Sequence, residues 1–105
     1  MYEIGPSAAY PRVLVVGGDD RVHRLEAPDI ELRAFPSSRF AGPLSIRRAV
    51  ATIASTDLVV LLCRWLGHSD SAAITGQCRV VGARILTVHG GFSAARRAIH
   101  AALDM

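Results

Sequence analysis

Residues 58–63 form the longest uninterrupted apolar run of the chain, and this run restricts the fold more than any other feature. Six consecutive apolar residues are typical of a strand that is buried on both faces, as the inner strands of parallel sheets are. Residues 13–16 form a second apolar run without alternation, and it ends at Gly17-Gly18. Two inner strands of this kind need helices over both faces of their sheet, so the pattern predicts an α/β fold.

The rest of the chain alternates between strand and helix patterns. Residues 30–35 alternate apolar and charged side chains until Pro36, which predicts an edge strand. Residues 84–88 predict a fourth strand, and residues 36–43 predict a loop. Apolar residues at helical spacing predict three helices, with Ser45 as N-cap of the first, Ser69 or Asp70 as N-cap of the second, Gly82 as its C-terminal cap, and Ser93 as N-cap of the third.

These elements predict a small Rossmann-like three-layer sandwich with a four-stranded, mostly parallel sheet. Right-handed crossovers and two inner strands favour the strand order 2-1-3-4. The connection over residues 18–28 is only eleven residues long, whereas a parallel crossover takes about a dozen or more. A helix of one or two turns over residues 20–25 would accommodate it, and an antiparallel first pair is the alternative. We expect a single domain over residues 12–105, preceded by an N-terminal arm over residues 1–11.

Composition excludes several classes of function. All twelve basic residues are Arg, which excludes Schiff-base catalysis by lysine and the lysine of a phosphate-binding P-loop. No apolar stretch approaches the roughly 20 residues of a membrane span, and the first residues lack the pattern of a secretory signal. We therefore expect a cytoplasmic protein with no membrane partner. In that compartment Cys63 and Cys78 are expected to remain thiols, with Cys63 packed in its strand.

The placement of the arginines and the hydrophobic content of the chain indicate which macromolecular partners to expect. The pairs Arg47-Arg48 and Arg96-Arg97 fall on the outer faces of predicted helices, with no basic run and little aromatic interleaving. A nucleic-acid partner is therefore not expected. A small sheet with two edge strands and a chain that is 50% hydrophobic favour association, so we predict a homodimer.

Most of the candidate site residues lie in the loops that follow the first, third and fourth strands. In open α/β sheets ligands bind beyond the carboxyl ends of the strands, where the strand order reverses. Two double glycines allow backbone amides to approach an anion close to helix N-termini, although neither matches a complete nucleotide-binding motif. The predicted ligand-binding residues are Gly17, Gly18, Asp19, Arg21, Arg64, Trp65, Ser69, Gly90, Gly91, Phe92 and Ser93.

Three of the four histidines, His23, His68 and His89, lie in or just after these loops. Imidazole is the commonest side-chain metal ligand, and it also binds haem iron. His68 stands at a predicted helix N-terminus, directly after the loop that follows the third strand. His68 and His89 are therefore the candidate metal or haem ligands. A solvated or hydrogen-bonded structural role is the alternative for each.

Residues 12–103 resemble a bacterial family of small domains, the DUF2325 family. The resemblance depends on the opening strand that runs into Gly17-Gly18, on residues 57–69, and on the last strand and helix with Ser93 between them. It implies a Rossmann-like fold without an assigned activity, and haem binding through histidine in some relatives. The short first crossover departs from the family pattern and puts the helix beside the first glycine loop in doubt.

Three functions are compatible with these features. The leading hypothesis is a non-enzymatic regulatory domain that binds haem or a metal through His68 or His89, with Trp65 and Phe92 as apolar walls. The alternative is a phosphate or nucleotide binder that uses the amides of both glycine pairs and the hydroxyls of Ser69 and Ser93. An enzyme with His68 as general base is the least favoured, because no nucleophile or partner carboxylate stands in a recognisable arrangement.

Overall fold

The fold comes from a computed structural model that describes residues 10–19, 21–22 and 30–103, apart from the side chain of Trp65. The predicted arm over residues 1–11 lies outside the described residues except for its last two positions. Of the helix predicted over residues 20–25, only Arg21 and Val22 are described, and both have a 3-10 helical conformation.

The sheet consists of β1 (Arg12–Val16), β2 (Glu31–Phe35), β3 (Leu58–Leu62) and β4 (Arg84–Val88). All neighbouring pairs are parallel and the order is β2-β1-β3-β4, which confirms the predicted fold class and strand order. The antiparallel alternative for the first pair is wrong. Between the observed ends of β1 and β2 the connection covers residues 17–30, which is long enough for a parallel crossover.

The described residues include four helices that connect and cover the strands: α1 (Ser38–Ala41), α2 (Pro43–Thr52), α3 (His68–Val81) and α4 (Phe92–Ala102). Short 3-10 turns, Ile53–Ser55 and Cys63–Trp65, follow α2 and β3. The predicted loop over residues 36–43 was wrong in part, since it contains α1. Among the described helices, none is long and apolar enough to cross a membrane.

The core has two layers, one on each face of the sheet. Val13, Val15 and Val60 face α4 and pack against its buried residues Ala95 and Ile99. The intervening residues of β1 and β3 face α2 and α3, because successive side chains of a strand point to opposite faces. Every residue of β3 is buried, as its unbroken apolar run predicts. Burial of one such Val, Leu or Ile side chain contributes about 1.5–3 kcal/mol to stability.

The predicted N-caps were wrong, because each helix begins two or three residues earlier, after a glycine. The N-caps of α2, α3 and α4 are Gly42, Gly67 and Gly91. Ser45 lies inside α2 and donates its hydroxyl to the Pro36 carbonyl at 2.7 Å. The C-terminal cap of α3 is Gly82 in the left-handed conformation, as predicted.

Candidate ligand-binding site

All four strands end at the same edge of the sheet, and two cavities open there on either side of Gly18 and Asp19. The larger has a volume of about 450 Å³ and the smaller about 200 Å³. Exit loops of three strands line the larger cavity, with Gly18 and Asp19 after β1, Ser37, Arg39 and Phe40 after β2, and Arg64, Leu66, Gly67 and His68 after β3. The smaller cavity is lined by Gly18, Asp19, Arg21, Gly91 and Phe92.

Gly17 allows the exit loop of β1 to pass close to its neighbours. Its φ is +130°, and a Cβ atom on this residue would lie 2.9 Å from the Cβ of Leu62. Its N–H donates to the Phe35 carbonyl at 2.9 Å. The absence of a side chain at Gly17 therefore allows the ends of β1, β2 and β3 to pack closely. Its N–H is already hydrogen-bonded within the fold.

Gly18 and Asp19 form the ridge between the two cavities. Gly18 has a φ of +82° and its carbonyl accepts the N–H of Ser37 at 2.9 Å. The Asp19 carboxylate accepts two hydrogen bonds from Nε of Arg21, at 2.9 and 3.1 Å, and its Oδ2 lies 2.9 Å from Nη2 of the same guanidinium. This hydrogen bonding holds the pKa of the Asp19 carboxyl below its ordinary value. Asp19 therefore stays ionised with its charge offset by Arg21.

The exit loop of β2 contributes residues that the sequence analysis missed. Ser37 is buried, whereas Arg39 and Phe40 are exposed on α1 and line the larger cavity. Arg39 forms no ion pair with any other residue that the structure describes. The topology offered one signal for these residues, because the carboxyl end of a parallel β2 must lie at the same edge as the other strand ends.

The exit loop of β3 brings two predicted residues to the larger cavity. Arg64 is exposed in the 3-10 turn after β3, and His68 is exposed as the first residue of α3. The N-cap of α3 is Gly67, which has no side chain to bond the first amides of the helix. The positive end of this fourteen-residue helix therefore faces the cavity wall that Gly67 and His68 form.

The histidines do not converge. His68 lines the larger cavity, whereas His89 is exposed after β4 and lines neither cavity. His100 is on α4, and His23 lies outside the described residues. In the part of the chain that the structure describes, no group of three or more His, Cys, Asp or Glu residues is placed to hold a metal ion.

The remaining predicted site residues differ in whether they line a cavity. Gly91 and the half-buried Phe92 line the smaller cavity, while Ser69 and Ser93 are exposed in the first turns of α3 and α4 and line neither cavity. Gly90 is packed so tightly that a Cβ atom there would lie 2.6 Å from the Cβ of Ala94. The side chain of Trp65 lies outside the described part of the structure.

The two cysteines are free thiols in different settings. Cys63 is half-buried directly after β3, and Cys78 is buried in α3. Burial raises the pKa of the Cys78 thiol, so this side chain stays protonated at neutral pH.

No family model, curated protein or solved structure matches this chain. The resemblance to the DUF2325 family therefore stays a prediction. Function has to be inferred from the chemistry of the larger cavity, whose wall holds two guanidinium groups, the positive end of a helix, an exposed aromatic ring and one carboxylate that is already paired.

Proposed function

We propose that the protein is a binding domain for a small organic anion that carries a phosphate or carboxylate group and a planar apolar part. The observation behind this proposal is the convergence of Arg39, Arg64 and the N-terminus of α3 on one cavity. Guanidinium groups bind phosphate and carboxylate with paired hydrogen bonds, and a helix N-terminus stabilises the same charge. The cavity volume falls within the range of roughly 300–1,000 Å³ that is usual for small-molecule sites.

The rest of the cavity wall fits the same kind of ligand. Phe40 is 55% exposed on the wall of the larger cavity, so its ring is accessible to a bound ligand. Its ring offers a stacking surface for a planar group beside the two arginines. Asp19 does not oppose an anion strongly, because Arg21 offsets its charge. In this proposal the anion is bound by side chains and a helix end. The phosphate binder considered from the sequence would instead use the amides of the two glycine pairs.

Calorimetric titration with inorganic phosphate and with AMP tests this proposal. AMP combines a phosphate with a planar base, so we expect it to bind more tightly than phosphate alone. Arg39→Gln should weaken AMP binding at least tenfold, the equivalent of about 1.4 kcal/mol for a lost charge-assisted contact. Arg47→Gln is the matched control, because it removes the same charge from an exposed position on α2 outside the cavity. Equal effects of the two variants, or no binding of either anion at millimolar concentration, would refute the proposal.

Haem is a second candidate for the same cavity. His68 lines this cavity, as do Leu66 and Phe40, so the cavity wall offers an imidazole for the iron and apolar side chains for the porphyrin. The two propionate groups of haem are carboxylates, which suits Arg39 and Arg64. Bound haem would supply an iron centre whose properties depend on its axial ligand. A metal ion without the porphyrin has less support, since the described residues include no group of three or more His, Cys, Asp or Glu placed to hold one.

Titration with haemin, followed at the Soret band, separates this candidate from the first. If His68 is the axial ligand, His68→Ala abolishes the shifted Soret band and the matched variant His89→Ala leaves it unchanged. A band that survives His68→Ala, or one lost equally in both variants, would exclude His68 as the ligand. A spectrum of the wild-type protein identical to that of free haemin would exclude haem altogether.

We also propose that the protein acts as a cytoplasmic homodimer and that ligand binding is regulatory rather than catalytic. Support for the dimer comes from the outer edges of β2 and β4, which no other described strand pairs with, and from Val80, which is 78% exposed near the end of α3. Light scattering should give twice the monomer mass of 11.2 kDa. A monomer at every concentration would refute the dimer.

A further inference from the structure

Asp70 is a buried carboxylate in a position where the helix pattern calls for an apolar residue. The buried residues of α3 are Asp70, Ile74 and Cys78, spaced four apart on one stripe of the helix. Asp70 is only 8% exposed. A carboxylate is costly to bury unless strong hydrogen bonds compensate, so its place on this stripe needs a specific reason.

The compensating bonds come from α1, 32 residues earlier in the chain. Oδ2 of Asp70 accepts the backbone N–H of Ser38 at 2.9 Å, and Oδ1 accepts the Ser38 hydroxyl at 2.8 Å. Ser38 is the first residue of α1, so its N–H has no partner within that helix. Asp70 therefore caps a neighbouring helix from outside.

α1 depends on such anchoring more than the other helices do. It has four residues, too few for a stable helix on its own, and none of them is buried. The preceding residue, Ser37, is buried and donates its N–H to the Gly18 carbonyl. Hydrogen bonds at its N-terminal end thus hold α1 in place. In this position α1 presents Arg39 and Phe40 to the larger cavity.

We infer that Asp70 is a positioning residue of the anion site: it fixes α1 so that Arg39 and Phe40 remain on the wall of the larger cavity. This inference rests on the proposed function, because its consequence is the affinity for an anion. Asp70 itself does not line the cavity and acts only through α1. A carboxylate in the first turn of α3 also stabilises α3 through the helix dipole, so the test has to separate the two effects.

A double-mutant cycle with AMP as the probe makes this separation. We expect Asp70→Ala to weaken AMP binding about tenfold, and Asp70→Asn, which keeps an oxygen acceptor for the Ser38 N–H, to restore part of the affinity. In the Arg39→Gln background Asp70→Ala should cause a smaller loss than in the wild-type protein, because one of the two groups that it positions is already absent. An equal loss in both backgrounds, or unchanged affinity in Asp70→Ala, would overturn the inference.

Amide hydrogen exchange provides a readout that does not depend on any ligand. Asp70→Ala should speed exchange at the N–H groups of Phe40 and Ala41, which both donate to the Ser37 carbonyl, at least tenfold. The matched control Asp57→Ala removes an exposed carboxylate from the opposite edge of the sheet and should leave these amides unchanged. Unchanged exchange in Asp70→Ala would overturn the inference. Fast exchange combined with no AMP binding by the wild-type protein would instead refute the proposed function and leave the anchoring of α1 established.

Discussion

Replacement of Gly17 by alanine is the most demanding test of the packing at the carboxyl edge of the sheet. The backbone of Gly17 has a φ of +130°, a region that costs a residue with a side chain about 1–3 kcal/mol. The added methyl group would also lie 2.9 Å from the Cβ and 3.0 Å from the carbonyl oxygen of Leu62, a fully buried residue of β3. Overpacking of this kind costs a further 1–3 kcal/mol or so. We therefore expect Gly17→Ala to lower the free energy of unfolding by about 2–6 kcal/mol, a large part of the roughly 5–15 kcal/mol of a small domain.

Urea denaturation followed by circular dichroism measures this loss, and two other glycines serve as controls. Gly42 also has a positive φ, +84°, but no atom lies within 4 Å of the position its Cβ would take, so Gly42→Ala should cost only the backbone strain of about 1–3 kcal/mol. Gly76 lies inside α3 with open space around it, and Gly76→Ala should raise stability by about 1 kcal/mol. If Gly17→Ala is no less stable than Gly42→Ala, the close approach to Leu62 does not restrict this position to glycine.

Three further predictions concern single side chains. In an NMR titration the pKa of Asp19 should lie below its ordinary value and return toward it in Arg21→Gln; no change would mean that the pair does not form in solution. Because this pKa is lower in the folded than in the unfolded state, the stabilisation by the pair is present at neutral pH and lost as the pH falls through the folded value. A thiol reagent should modify Cys63 first and Cys78 only on unfolding, and equal rates in the folded protein would contradict the burial of Cys78. Ser45→Ala removes a buried hydroxyl donor and should destabilise the fold by about 1 kcal/mol, whereas an unchanged unfolding midpoint would show that this bond contributes nothing.

The sheet was predictable because its inner strands have a distinct apolar pattern in the sequence. A strand buried on both faces needs an unbroken apolar run, and β3 has one in which every residue is buried. Parallel pairing and strand order followed from alternation and from the handedness of crossovers. The helix starts were less predictable, since Ser45 and Ser93 resemble N-caps although glycines occupy those positions. The Ser45 hydroxyl is used instead by a backbone carbonyl nine residues away, which no local pattern reveals.

The candidate site was predictable only in part. Arg64 and His68 were found because the third strand and its exit loop were recognised. Arg39 and Phe40 were missed because α1 buries no residue and so leaves no apolar periodicity in the sequence. The contact that holds α1, from Asp70, joins residues far apart in the chain and exists only in the folded protein.

The glycines show why composition alone misleads about a site. Gly17 and Gly90 were candidate anion-binding residues, yet both stand where a side chain would collide with a neighbour, at Leu62 and Ala94. Of the two glycine pairs, only Gly18 and Gly91 line a cavity. A glycine in a strand-exit loop can thus be required by packing as well as by a ligand, and only the positions of the neighbouring atoms distinguish the two.

The central claim is that an organic anion binds in the larger cavity at the carboxyl edge of the sheet, and chemical-shift mapping tests it most directly. AMP is titrated into isotope-labelled protein while the backbone amide resonances are followed. The predicted result is a saturable set of shifts at Asp19, Arg39, Phe40 and His68, with none at Thr56 on the opposite edge. Shifts that cluster around Thr56, or no shifts at saturating AMP, would contradict it.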